Sequence, residues 1–212
     1  MRQCFSCGAT FGARGCSEPS CHRHRRYATT NELLSAYPPL LEKGFETGLP
    51  APIRDAPPCR VLTFGKLESS GKEIMELLCT IKGGEAFDGV FHADYMFNRR
   101  HLQRRGDHVV AQEELLKDYF SEVQAALVDL VPMACTSPLV LIACAHGHHR
   151  SVALAEILVA VLLRLPNSRR CLLYHLDAGG EDAHYFAHSL DGFEEILEGP
   201  LLRALGYDVD DE

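Results

Sequence analysis

The chain has 212 residues, 46% of them apolar, enough for one buried core with a small appendage and unlike a disordered or fibrous composition. Its 29 acidic and 21 basic residues give a formal net charge of -8, which excludes a surface that holds nucleic acid by bulk electrostatics and leaves room only for a local site. No apolar run reaches the roughly 18–20 residues of a membrane span and the N-terminus lacks a signal-peptide apolar stretch, so a soluble, cytoplasmic protein with no membrane partner is expected.

Residues 1–26 are rich in Cys, His and Arg. Cys4 and Cys7 form a Cys-x2-Cys pair, followed by Cys16, Cys21 and His24, and a segment this short needs a metal to hold any fold. The spacing suits zinc on Cys4, Cys7, Cys16 and either Cys21 or His24; the alternative is a tail that merely carries cysteines. The other five cysteines are scattered, as reduced thiols are. Residues 27–59 hold six prolines, at 38, 39, 50, 52, 57 and 58, and read as a connector with room for a short helix over 31–43.

From residue 60 onward strands and helices alternate. A strand is predicted over 60–64, a helix over 70–80 with Ile74, Leu77 and Leu78 on one face, and a second strand over 87–92. The spacing of Leu115, Leu116, Phe120, Val123, Ala126, Leu127 and Leu130 predicts a long helix over 111–131. Pro138 then precedes Leu139-Val140-Leu141-Ile142-Ala143, too short for a helix and typical of a strand covered on both faces. A helix over 151–164, a strand over 171–175 and a closing helix over 191–205 complete the pattern. The expectation is an α/β layered domain over 60–212 with a mostly parallel central sheet, preceded by the small Cys/His-rich segment.

Residues 144–151 (Cys144, Ala145, His146, Gly147, His148, His149, Arg150 and Ser151) join a buried strand to a helix, where a parallel sheet tends to bind ligands. Gly147 lets the backbone turn closely around an anion, Arg150 offers a planar fork of donors, and Ser151 can cap the helix or donate to the same anion. A plain turn with an exposed arginine is the competing reading, but these features together favour a phosphate site. The three histidines lie too close in sequence to converge on one metal ion, so they are read as hydrogen-bonding groups, His149 foremost. The charged cluster Arg99, Arg100, Arg104 and Arg105 is the candidate for a local RNA contact.

The spacing Cys144-x-x-Gly147-x-x-Arg150-Ser151 resembles the signature loop of cysteine-dependent protein phosphatases. That resemblance implies Cys144 as nucleophile, Arg150 as oxyanion holder, and a general acid on another loop, for which Asp94, Asp107 and Asp177 are the candidates. Ala143 stands where those enzymes usually carry His.

A longer resemblance is to the C-terminal domain of the RNase adapter protein RapZ family, which carries Cys-Thr-Gly-Gly-x-His-Arg-Ser-Val-x-x-Ala-Glu. Cys144, Gly147, His149, Arg150, Ser151, Val152, Ala155 and Glu156 match it. Thr63-Phe64-Gly65, residues 87–98, Gly106-Asp107, and more weakly Pro132-Met133 and Tyr174-His175, follow in the same order. Ala145-His146 replaces the family's Thr-Gly, and Phe91-His92-Ala93-Asp94 its Phe-Asp-x-Arg. The resemblance implies a domain that binds an amino-sugar phosphate and a small regulatory RNA and assembles as a homo-oligomer. The family's kinase-like half has no counterpart, because no Gly-x4-Gly-Lys-Ser/Thr motif for ATP occurs. A phosphate-recognising binding domain is therefore expected, with a phosphatase using Cys144 and Arg150 as the alternative.

Overall fold

The structure, a computed structural model, describes residues 2–3, 10–12, 15–16, 41–42, 57–80, 87–93, 118–165, 169–177 and 197–207. At the N-terminus, β1 (Arg2–Gln3), β2 (Thr10–Gly12) and β3 (Gly15–Cys16) pair in order as a small antiparallel sheet.

The main sheet has five strands. They are β4 (Leu41–Glu42), β5 (Cys59–Gly65), β6 (Phe87–His92), β7 (Leu139–Cys144) and β8 (Cys171–His175), in the spatial order β4-β8-β5-β7-β6. β8, β5, β7 and β6 are mutually parallel, and β4 pairs antiparallel with β8 at one edge. This is the α/β architecture that the alternation predicts. β4 lies within the stretch read as a connector, at the end of its suggested helix, so residues 41–42 are extended rather than helical.

β7 is buried along its whole length, which follows from helices on both faces of the sheet. On one face Ile74 and Leu77 of α1 (Ser69–Thr80) pack with Leu62, Phe64, Leu139, Leu141 and Tyr174. On the other, α2 (Phe120–Thr136) and α3 (Arg150–Arg164) pack over Val61, Val140, Ile142 and Leu173. All of α3 from Ser151 to Leu162 is buried, because it lies between the sheet, α2 and Leu201 and Leu202.

Two helices depart from expectation. α2 runs past Pro132 to Thr136, whereas the proline suggests an end at Val131; residues 111–117 lie outside the described residues. Proline removes the N–H that would reach the carbonyl of Val128, but Val128 lies on the solvent side, and Thr136 Oγ1 donates to the Pro132 carbonyl at 2.8 Å. Of the closing helix expected over 191–205, residues 191–196 lie outside the described residues, and the rest is a π-helical turn over Leu197–Leu201 running into α4 (Leu202–Ala204). It ends at Gly206, φ 82°, with Tyr207 N–H donating to the Leu202 carbonyl at 3.0 Å.

The helices that follow the neighbouring strands β5 and β7, α1 and α3, lie on opposite faces of the sheet. A crevice between the carboxyl ends of these strands is the usual ligand position in an open parallel sheet.

Candidate anion-binding site

The loop between β7 and α3 lies at the carboxyl ends of these strands, against the end of β5. Cys144 ends the strand and Arg150 opens the helix, so the positive end of a 15-residue helix faces the loop. Gly147 has φ 71°, which favours glycine, and an added Cβ there would sit 2.5 Å from Gly65 N and 2.8 Å from Asp177 Oδ2. The strand ends are stitched together. Lys66 N–H donates to the Cys144 carbonyl at 2.8 Å, Leu67 N–H to the Ala145 carbonyl at 2.9 Å, and Gly65 N–H to Asp177 Oδ2 at 2.7 Å.

Cys144 is buried at the base of the loop. Its sulfur accepts from Gly147 N–H and from Ser151 Oγ, each at 3.2 Å. Ser151 is therefore not the helix cap; it is the second helical residue, and its hydroxyl turns down to the sulfur. His149 occupies the capping position and contributes no side-chain cap, while its carbonyl accepts from Ala153 N–H at 2.8 Å. Arg150 is half-buried.

His146 Nδ1 lies 3.0 Å from Glu68 Oε1 on the β5–α1 turn, and the rings of His148 and His149 meet edge to face at 6.3 Å. Among the described residues no three His, Cys, Asp or Glu side chains are grouped to hold a metal. Of the proposed zinc ligands, Cys16 lies on β3, and Cys4, Cys7, Cys21 and His24 lie outside the described residues, as do Arg99, Arg100, Arg104 and Arg105. Asp94 and Asp107 also fall outside them; Asp177, the third acid candidate, is the one found beside the loop.

Several residues of the site escape a reading of the sequence. Glu68 is one, carrying no local signal. Thr63, His175 and Glu156, which carry part of the family resemblance, receive no role from it; they are polar residues at buried positions of otherwise apolar elements. Thr63 Oγ1 lies 2.8 Å from His175 Nδ1, and His175 Nε2 lies 3.2 Å from Glu156 Oε1. Burial pushes the Glu156 carboxyl well above the usual carboxylate range. No helix among the described residues is long and apolar enough to cross a membrane. Compared with protein-family models, curated proteins and solved structures, the chain matches none.

Proposed function

We propose that the 144–151 loop recognises the phosphate group of a small molecule, in the manner of the RapZ C-terminal domain that the chain resembles. The observation that carries this reading is a tight, positive-φ loop at the carboxyl end of a parallel sheet, followed by Arg150 as the first residue of α3. An amino-sugar phosphate is the ligand class proposed, and the carboxylates of Glu68 and Asp177 beside the loop suit a ligand that also carries amine or hydroxyl donors. RNA binding through the Arg99–Arg105 region, homo-oligomer formation and a zinc-bound N-terminal segment belong to the same proposal.

The test is calorimetry of hexose and hexosamine phosphates and short RNAs with wild type and Arg150→Ala. The variant is expected to bind the phosphates about 10- to 100-fold more weakly, the loss of charge-assisted bonds being about 1.5–3 kcal/mol. Unchanged binding would remove the loop from consideration.

One observation favours a second reading, a cysteine-dependent phosphatase: the Cys144 sulfur is fixed by two donors at the base of the loop, as an attacking sulfur must be. Aryl-phosphate turnover by wild type that disappears in Cys144→Ser supports the enzyme. Binding without turnover in either protein supports the recognition domain.

A further inference from the structure

The sheet face beneath α3 is apolar along most of its length, with Val61, Val140, Ile142 and Leu173. It turns polar at its carboxyl end. Thr63 of β5 and His175 of β8 are register partners joined by a hydrogen bond, and His175 reaches on to Glu156 of α3. The pair is sealed from solvent, with side-chain exposures of 0% for His175 and 2% for Glu156. Glu156 Oε2 has no hydrogen-bond partner among the described residues. Two buried titratable groups and an orphaned oxygen are costly where apolar side chains would pack without penalty.

The chain joins the three elements that build the anion loop. α3 begins with Arg150 and Ser151, β8 runs on to Asp177 at the loop's floor, and β5 runs on to Gly65 against Gly147. Among the described residues, the other buried ionisable side chains at this end of the face are Cys144 from β7 and Asp177 from the end of β8. Cys59 and Cys171 sit at the opposite ends of their strands. α2 contributes Val123, Ala126, Leu127, Leu130 and Ala134 to the core, and the C-terminal segment contributes Leu201 and Leu202.

We propose that His175 and Glu156 form one proton-accepting unit linked to the loop, such that a doubly charged anion bound at 144–151 is accompanied by uptake of a proton from solvent by the pair. The inference rests on the phosphate-recognition reading above. A dianion at the sheet's carboxyl end favours positive charge in the low-dielectric core beside it. Linkage makes the effect reciprocal: protonation of the pair tightens anion binding by the same factor. The two groups are in direct contact, and burial pushes the Glu156 carboxyl well above its ordinary range.

The probe is sulfate, a dianion throughout the working range, bound to the full chain in calorimetry with buffers of different ionisation enthalpy. Wild type is expected to take up a fraction of a proton on binding and to lose at least about fivefold in affinity from about pH 6 to pH 8. The isosteric Glu156→Gln and the non-titrating His175→Gln are expected to bind sulfate without that proton. His146, His148 and His149 lie in the loop itself, so proton uptake that persists in both variants belongs to them and overturns the proposal. A wild-type readout independent of the variants is the His175 ring-nitrogen resonance, expected to move toward imidazolium when sulfate is added; no movement overturns the proposal. Sulfate binding with buffer-independent enthalpy defeats the linkage and leaves phosphate recognition standing. Absence of any sulfate binding defeats both.

Discussion

The carboxylate of Asp177 accepts the N–H of Gly65 at 2.7 Å, across a sequence separation of 112 residues. The same oxygen lies where a side chain on Gly147 would have to go. A residue two positions beyond β8 thus holds both the end of β5 and the floor of the β7–α3 loop.

Replacing it tests that role. Asp177→Ala leaves a buried N–H without its acceptor and is expected to cost about 1–3 kcal/mol in urea unfolding. Asp177→Asn keeps an acceptor oxygen and is expected to lose less. Equal losses in the two variants would show that the hydrogen bond is not what matters.

Two glycines with positive φ offer an internal comparison. A Cβ on Gly147 meets the Gly65 and Phe64 backbone, whereas a Cβ on Gly206 meets nothing within 4 Å. Gly206→Ala is expected to cost about 1–2 kcal/mol for the backbone conformation alone. Gly147→Ala is expected to cost more and to abolish phosphate binding, which Gly206→Ala leaves intact. Denaturant midpoints and calorimetry decide the matter.

The raised carboxyl of Glu156 has a definite consequence for stability. Its folded-state pKa exceeds its unfolded value, so between the two the native state holds a proton that the unfolded chain has released. Stability from this group is fully present below the ordinary carboxylate range and is lost as pH rises through the folded pKa. Unfolding free energies measured upward from about pH 4 are expected to decline less steeply in Glu156→Gln than in wild type. Parallel profiles would mean that Glu156 is ionised in the native state.

The N-terminal segment makes its own prediction. Metal analysis of the purified full chain is expected to find about one zinc per molecule, as a four-ligand Cys/His set provides. Deleting residues 1–26 is expected to remove it while leaving phosphate binding unchanged. A metal-free full chain would dismiss zinc from that segment.

Much of the fold is legible locally. Leu139 to Ala143 is too short and too apolar to be anything but a doubly covered strand, and Gly147, Arg150 and Ser151 follow it at spacings that only a strand-to-helix turn makes meaningful. What stays hidden depends on partners far away in the sequence. Ser151 looks like a cap until the sulfur of Cys144 is found beneath it. Thr63 and His175 look like minor interruptions of apolar strands until β8 and β5 are placed side by side. Helix α2 is misjudged at Pro132 because the cost of a missing N–H depends on whether water can reach the abandoned carbonyl. Asp177 needs the strand order before it acquires any meaning.

The strand order also governs when the site can come into being. β5 takes its place between β7 and β8, so Thr63 and Gly65 wait for chain more than a hundred residues downstream before their polar groups are matched. Pairings of such long range close slowly, because the entropy of ordering the intervening chain is spent before the contact forms. An isolated strand–loop–helix excised as 139–164 would carry every residue of the motif yet lack the scaffold that sets their geometry. The geometry of the loop is thus an outcome of completed assembly, set when β8 brings Asp177 to Gly65.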